Sequence, residues 1–202
     1  MLIIGLNGSP NRKANTAYIL EAALDAAAQL GAKTETLFLR GIVEEQKNPF
    51  CIACETPCQG RCYKGTELEN ALEKIASADG LLLASPVYFG SVSAQIKAFW
   101  DKTRRLRRSK RLLNTVGGGL SVGAARFGGQ ETTLRALHSM MLVQGMILVG
   151  DSHEKSAGHH GTCVGGAAEE DQNALKRAFM LGQRVAQVCK ATASLRADRP
   201  GG

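Results

Sequence analysis

Short apolar runs alternate with amphipathic segments along most of this 202-residue chain. The runs at 2–6, 81–85 and 146–149 are apolar at nearly every position, which is typical of strands that are covered on both faces. Segments between the runs, such as 15–30, repeat apolar residues at helical spacing, and Gly31 follows where a helix commonly ends. This alternation predicts a parallel sheet with helices packed on each side.

The remaining apolar runs complete five strand-and-helix units. We expect further strands at 33–39 and 116–122, and further helices from Thr66 and over 93–103, 131–144 and 169–189. Five units in a chain of this length favour a flavodoxin-like, doubly wound α/β sheet with the strand order 2-1-3-4-5. We expect one domain over 1–193, with a cysteine-rich insertion at 40–65 after strand 2 that lacks helical or strand periodicity, and a flexible tail over 194–202.

The net charge of +7 is concentrated in one segment. Residues 102–111 contain seven basic side chains and no acidic one, so the rest of the chain is neutral. The run has no interleaved aromatic residues for stacking on bases, which disfavours nucleic acid as a partner. A solvated helix surface is the favoured interpretation, and attraction of the phosphates of a dinucleotide is the alternative.

No apolar stretch is long enough to cross a bilayer. The apolar segment 140–149 is short and is interrupted by Gln144 and Gly145. The N-terminal residues have no basic region ahead of the apolar run, which disfavours a secretory signal. We therefore expect a cytoplasmic protein without a membrane segment.

Three loops are the candidate site, because ligands of doubly wound sheets bind at the carboxyl ends of the strands. The first loop, 8–16, combines hydroxyls, amides, cations and the N–H groups of a helix start, a set that suits a phosphate. A simple helix cap by Asn15 or Thr16 is the alternative. The loop matches neither the dinucleotide nor the Walker pattern. Its candidate ligands are Ser9, Asn11, Arg12, Asn15 and Thr16.

The other two loops suit a flat ring. The loop after strand 3 contains a stiff Pro86, the aromatic Tyr88 and Phe89, and Gly90, which permits close approach. The loop after strand 4 is rich in glycine and carries one cation, Arg126. A phosphate-type loop beside an aromatic loop and a glycine-rich loop predicts a site for a planar aromatic mononucleotide.

The three segments GSPNRKANT, SPVYFGSVSAQIKAFWDKT and SVGAARFGGQETTLRALH resemble the FMN-contacting segments of the flavodoxin-like NAD(P)H-dependent FMN reductases. The resemblance covers residues 2–189. It implies an FMN-dependent oxidoreductase that uses NAD(P)H and reduces an acceptor such as a quinone, free flavin or an oxygen species.

The same resemblance implies a role for each loop. Because the redox chemistry belongs to the cofactor, no side chain need act as a general base. The first loop would hold the FMN phosphate through Ser9, Asn11, Asn15 and Thr16. The ring would lie at the edge formed by Pro86, Val87, Tyr88, Phe89 and Gly90. Its polar side would face Gly123, Arg126, Gly128 and Gly129.

Four of the six cysteines lie within twelve residues, at Cys51, Cys54, Cys58 and Cys62. Clustered thiols in a chain of this class indicate metal or redox chemistry. The segment is similar to the cysteine loop of the iron–sulfur flavoproteins, although the third cysteine is displaced by one position from their compact pattern. The resemblance implies that these four residues ligate a [4Fe-4S] cluster beside FMN. A zinc site and a metal-free loop with disulfides are the alternatives.

The resemblance also implies a homodimer or homotetramer. Two other functions are weighed against the enzyme. A flavodoxin-type FMN electron carrier would need no substrate of its own, but such carriers are typically small and acidic, whereas this chain is basic. A nucleic-acid-binding module would depend on the basic run alone and would show strongly salt-dependent binding.

Overall fold

The computed structural model describes residues 1–197 and 199–200. The strands are β1 Leu2–Asn7, β2 Lys33–Phe38, β3 Gly80–Pro86, β4 Val116–Gly123, β5 Ile147–Leu148 and β6 Thr162–Gly165. The helices are α1 Asn15–Gln29, α2 Leu39–Glu44, α3 Glu67–Ser77, α4 Ala94–Asp101, α5 Arg104–Arg108, α6 Gln130–Leu142, α7 Gln172–Ala191 and α8 Ala193–Ala197. Residues Arg61–Tyr63 form a single 3-10 turn.

The strands form one parallel sheet in the order β2-β1-β3-β4-β5, with β6 also paired to β4. In the centre of the sheet, Leu6 is in register with Leu37 on one side and with Leu83 on the other. One apolar core lies beneath α1 and α7, and the other lies beneath α2, α3, α4 and α6. The predicted doubly wound sheet and its strand order are therefore confirmed. The physical reason is that strands buried on both faces require helices on both sides.

The fifth position of the sheet differs from the prediction of one strand at 146–149. The start of β4 pairs with β5 and its end pairs with β6, so two short strands share this position. Cys163, expected in a loop, therefore lies on β6. The chain between the two strands leaves the sheet, and the buried carboxylate of Asp151 accepts hydrogen bonds from the His159 N–H and the Arg177 guanidinium.

The insertion at 40–65 is predicted to lack helical or strand structure, but part of it is helical. Helix α2 occupies its start and buries Leu39, Ile42 and Val43 against the core. Helix α2 has only six residues, which is too short for helical periodicity to be recognised in a sequence. The rest of the insertion has no regular structure except the 3-10 turn, so the cysteine segment itself is a loop, as expected.

The chain after α7 begins with a helix. In α8, Arg196 is buried and its Nε lies 3.0 Å from Asp79 Oδ1. The flexible tail over 194–202 stays a prediction, although residues 194–197 are helical. Residues 198, 201 and 202 lie outside the described residues. None of the helices described is long and apolar enough to cross a membrane.

Candidate nucleotide site and cysteine loop

The first two predicted loops are joined at the carboxyl ends of β1 and β3. The Gly8 N–H donates to the Ala84 carbonyl at 2.8 Å, and the Ser93 hydroxyl donates to the Gly8 carbonyl at 2.6 Å. The third loop adjoins the second through Gly129, where a Cβ atom would lie 2.9 Å from the Cα of Gly90. The structure therefore brings the three loops to one edge of the sheet.

Helix α1 begins without a side-chain cap. Its N-cap is Ala14, which has no side-chain oxygen to accept from the first turn, and no acidic residue occupies that turn. The Asn15 amide instead donates to the Gly166 carbonyl at 3.0 Å. The interpretation of this loop as a simple cap is therefore wrong. The first N–H groups of this 15-residue helix have no side-chain acceptor from the cap residue, an arrangement that suits an anion.

The remaining polar side chains of the first loop shape its backbone. Ser9 Oγ accepts from the Asn11 N–H at 3.1 Å, and Asn11 Oδ1 accepts from the Lys13 N–H at 3.0 Å. Asn7, buried at the end of β1, accepts from the Ser9 N–H. These bonds turn the chain sharply between strand and helix. Thr16, the last candidate ligand of this loop, is buried in the first turn of α1.

Two cations flank this loop. The Arg12 guanidinium lies 5.1 Å from the centre of the Phe38 ring, and Arg40 donates to the Pro10 carbonyl at 3.0 Å. Both side chains line a cavity of about 630 Å³ that also contains Asn11. Arg40 was not predicted here, because it lies on α2, in a segment expected to be irregular.

The second loop presents its aromatic residues to solvent. Tyr88 and Ser91 pair in an antiparallel bridge, and Phe89 between them has a φ of 50°. Phe89 is fully exposed and Tyr88 is about half exposed. A non-glycine residue in this left-handed region is uncommon, so the turn holds an apolar ring away from the core.

The third loop is braced by Gln130, which the sequence analysis did not single out. Its Nε2 donates to the carbonyls of Ala125 and Val164, at 2.6 and 3.0 Å, and its Oε1 accepts from the Gly128 N–H at 2.9 Å. The side chain is buried. Its role could have been recognised in the sequence, because Gln130 is a long amide at the first position of a helix, directly after two glycines.

A fourth segment also joins the site and was missed. The Gly166 N–H donates to the Gly123 carbonyl at 2.9 Å, and the Gly166 carbonyl accepts from Asn15. Its backbone position depends on β6, which was not predicted. Arg126 lies nearby, exposed, with its guanidinium 5.5 Å from the centre of the Phe127 ring.

A second cavity, of about 690 Å³, lies between α6, α7 and the chain that connects β5 to β6. Among the residues that line it are His138, His160 and Cys163. Burial, with His160 beside it, lowers the pKa of His138, so this imidazole is neutral near neutral pH. The predicted site residues are absent from its lining.

The four clustered cysteines lie in one loop beside the basic run. Cys51 and Cys58 are partly buried, and Cys54 and Cys62 are exposed. Although Cys62 is exposed as a residue, partial desolvation of its thiol raises its pKa. The Lys102 ammonium opposes this rise, and the other three thiols add to it. The four thiols are therefore close enough to influence one another electrostatically.

The thiols do not close around a single point. Within residues 1–197 and 199–200, no three His, Cys, Asp or Glu side chains are close enough to share one metal ion. A [4Fe-4S] cube takes each thiolate on a different iron, so its ligands stand farther apart than the four ligands of a zinc ion. Four thiols in one loop are the ligand set that such a cluster requires, and the described residues contain no preformed zinc site.

The nucleotide site also fits its expected ligand. An uncapped helix N-terminus suits a phosphate, and a close-packed Gly90–Gly129 contact beside exposed aromatic rings suits a flat ring. The doubly wound fold and this site together define a mononucleotide-binding protein of the flavodoxin-like class.

Comparison with known proteins agrees with this class. Residues 1–158 match the sequence model of the family described as NADPH-dependent FMN reductase. An iron–sulfur flavoprotein of Methanocaldococcus jannaschii is 42% identical over 195 residues, which are 94% of this chain and 98% of that protein. An iron–sulfur flavoprotein of Methanosarcina thermophila is 40% identical over 174 residues, 85% of this chain and 86% of that protein.

A solved structure, the flavodoxin-class WrbA-like protein of Agrobacterium tumefaciens, is similar with a TM-score of 0.65. It is 19% identical, with 94% of this chain and 96% of that chain covered, so it shows the fold. The chain belongs to the NADPH-dependent FMN reductase family and, within it, to the iron–sulfur flavoproteins. The predicted family and its oxidoreductase class are thereby confirmed.

Proposed function

We propose that this protein uses FMN to transfer electrons from NAD(P)H to a small-molecule acceptor. The observation that carries the proposal is the uncapped N-terminus of α1, which meets the aromatic and glycine-rich loops at one edge of the sheet. Bound FMN would supply the redox chemistry, taking electrons from the nicotinamide and passing them on. The protein binds and orients it.

Each loop has a distinct task in this proposal. The N–H groups of α1, with Ser9, Asn11, Arg12, Asn15 and Thr16, hold the phosphate. The ring lies against the edge formed by Pro86, Val87, Tyr88, Phe89 and Gly90. Its polar side faces Gly123, Arg126, Gly128 and Gly129, in a loop that Gln130 keeps in one conformation.

Phosphate recognition is tested by titrating the flavin-free protein with FMN and with riboflavin. We expect FMN to bind far more tightly, because only FMN reaches the helix N-terminus. Thr16→Val removes a hydroxyl at nearly constant volume and should weaken FMN binding about tenfold to a hundredfold, since a hydrogen bond to a charged group contributes about 1.5–3 kcal/mol.

Thr34→Val, on β2, is the matched control, because the Thr34 side chain makes no hydrogen bond to any described residue. It should leave FMN binding unchanged. Riboflavin binding should respond little to either substitution. Equal affinities for FMN and riboflavin in the unaltered protein would refute the phosphate site.

Turnover is tested by following NADH and NADPH oxidation by the FMN-loaded protein with a quinone, free flavin or oxygen as the acceptor. Sustained consumption of either nucleotide supports the enzyme. Tight FMN binding without consumption under any of these conditions would favour the electron carrier instead.

We propose further that Cys51, Cys54, Cys58 and Cys62 hold a [4Fe-4S] cluster. The similarity to the iron–sulfur flavoproteins and the Arg104 guanidinium beside Cys51 support this assignment. Anaerobic reconstitution with iron and sulfide should yield iron and acid-labile sulfide in the ratio of one cluster per chain. Cys54→Ser should abolish this uptake and Cys163→Ser should not, whereas stoichiometric zinc in the protein as purified would contradict the assignment.

We propose finally that the protein is a homodimer or homotetramer in the cytoplasm. Phe50, Ile52, Phe89 and Phe127 are large apolar side chains exposed in the loops described above, and contiguous apolar surface commonly marks an interface. Light scattering of the FMN-loaded protein measures the oligomeric state, and a monomer at micromolar concentration would contradict it.

A further inference from the structure

The basic run at 102–111 is divided between the core and the surface. Lys102 is 4% exposed, so the solvated helix surface expected for this run is wrong for this residue. Four other basic residues of the run are exposed, namely Arg105, Arg107, Arg108 and Lys110. The proposed function gives none of these four cations a task.

Four cations of the run line one cavity of about 430 Å³, which lies between the end of α5, helix α3 and Pro200. They are Arg105, Arg108, Lys110 and Arg111. Arg107 does not line this cavity and belongs to the lining of another one, beside Trp100. The helical spacing explains this division, because positions 105 and 108 are three residues apart and share a face of α5, whereas position 107 points elsewhere.

A single acidic side chain of the described residues lines this cavity. It is Glu73, whose Oε2 lies 3.6 Å from Arg111 Nη2. Within the described part of the chain, Arg105, Arg108 and Lys110 make no ion pair. Like charges that share a cavity repel one another, and a bound anion relieves this repulsion. The cavity therefore favours an anionic ligand.

The backbone that carries these side chains is held in place and does not repel an anion. The last carbonyls of a helix form its negative end, but the carbonyls of residues 105–107 accept hydrogen bonds from the N–H groups of residues 109–111. Arg199 Nη1 donates to the Arg111 carbonyl at 3.2 Å, which ties this turn to the C-terminal segment. The cations therefore project from a fixed turn whose own acceptors are already satisfied.

Phosphate groups are the anions that suit this cavity best. A planar guanidinium binds two phosphate oxygens at once, and three of the four cations are arginines. A phosphate group carries a charge of about −1.5 to −2, so four cations against one carboxylate favour a chain of two or more such groups. The described residues of the lining include no aromatic ring, so a nucleic-acid base would have nothing to stack on.

We propose that Arg105, Arg108, Lys110 and Arg111 form a binding site for a polyphosphate group, either free or at the end of a nucleotide. The site goes beyond the proposed function and requires neither the FMN loops nor the cysteine loop. It gives the basic run a purpose that agrees with the lack of interleaved aromatic residues in that run.

The test is a calorimetric titration of the FMN-loaded protein with sodium triphosphate at about 0.15 M salt. Loading with FMN keeps triphosphate from the phosphate position proposed at α1. We expect one triphosphate to bind per chain. Arg105→Gln and Arg108→Gln should each weaken its binding about tenfold to a hundredfold, because each variant loses hydrogen bonds to a charged group.

Arg107→Gln is the matched control, since it removes one positive charge from the same helix at an exposed position outside the lining of the cavity. It should change the affinity for triphosphate little, because salt screens a charge that does not contact the ligand. All three variants should keep the melting temperature and the FMN affinity of the unaltered protein, since the three arginines are exposed.

A parallel titration with ATP distinguishes the two sources of the polyphosphate group. An affinity for ATP no greater than that for triphosphate supports free polyphosphate as the ligand, and tighter binding of ATP supports the end of a nucleotide. An equal loss of affinity in all three variants would overturn the proposal in favour of diffuse attraction, and so would the absence of binding at millimolar triphosphate. Tighter binding of a DNA duplex than of triphosphate would also overturn it and assign this surface to nucleic acid.

Discussion

Gln130 offers the sharpest test of how the third loop is held. The substitution Gln130→Leu keeps the approximate volume of the side chain and removes its amide. Three backbone groups then lose a partner: the carbonyls of Ala125 and Val164 and the N–H of Gly128. Ala125 and Gly128 are exposed, so water can replace the bonds they lose, whereas Val164 is fully buried.

The magnitude follows from this difference. The unpaired Val164 carbonyl costs about 1–3 kcal/mol, and each replaced bond at the exposed groups costs about 0.5 kcal/mol. We expect a loss of about 2–4 kcal/mol in the free energy of unfolding. At about 2–4 °C per kcal/mol for a chain of this size, the melting temperature should fall by about 4–16 °C.

FMN affinity should fall as well, by about tenfold, because the loop must then be ordered when the ligand binds. The assays are thermal unfolding of the flavin-free protein and titration with FMN. Gln172→Leu is the control, since Gln172 is also the first residue of a helix but is exposed. Unchanged stability and affinity in Gln130→Leu would refute the role of the amide.

Three further predictions concern other parts of the chain. Gly129→Ala should destabilise the protein more than Gly31→Ala in urea unfolding; both glycines have positive φ, but only at Gly129 does a Cβ meet backbone. Burial raises the pKa of Asp79, yet a backbone N–H and Arg196 lower it to a net value below the ordinary 3.8. The destabilisation by Arg196→Met should therefore be full above pH 3.8 and become smaller as the pH falls through the lower folded value, since only the bond to Asp79 titrates. The bonds from Arg196 to Thr192 and Cys189 do not titrate, so the part of the destabilisation that they account for should remain. Burial raises the pKa of Cys189 to about 12, so iodoacetamide should label the cysteine loop of the cluster-free protein and reach Cys189 only after unfolding, as peptide mass spectrometry would show.

The sheet was predictable because its central strands are buried on both faces. In β3, six successive residues from Gly80 are buried, and such a run can be recognised without knowledge of its neighbours. Helix α1 was predictable from its apolar stripe. The split of the fifth position into β5 and β6 was not, because strands of two and four residues are too short to show a pattern.

The candidate loops were predictable because topology alone brings the carboxyl ends of parallel strands to one edge. The contacts that shape them were not. Gln130, Gly166 and the orientation of Asn15 depend on pairs of residues far apart in the chain, up to 151 positions for Asn15 and Gly166. The burial of Lys102 is also a tertiary effect, since its sequence neighbours suggest an exposed basic segment.

The most direct test is a crystal structure of the protein with FMN bound. We expect the phosphate at the N-terminus of α1, within hydrogen-bond distance of Thr16, and the ring between Tyr88 and Gly129. Density for FMN in the cavity beside His138, with the first turn of α1 bound to nothing but water, would contradict it.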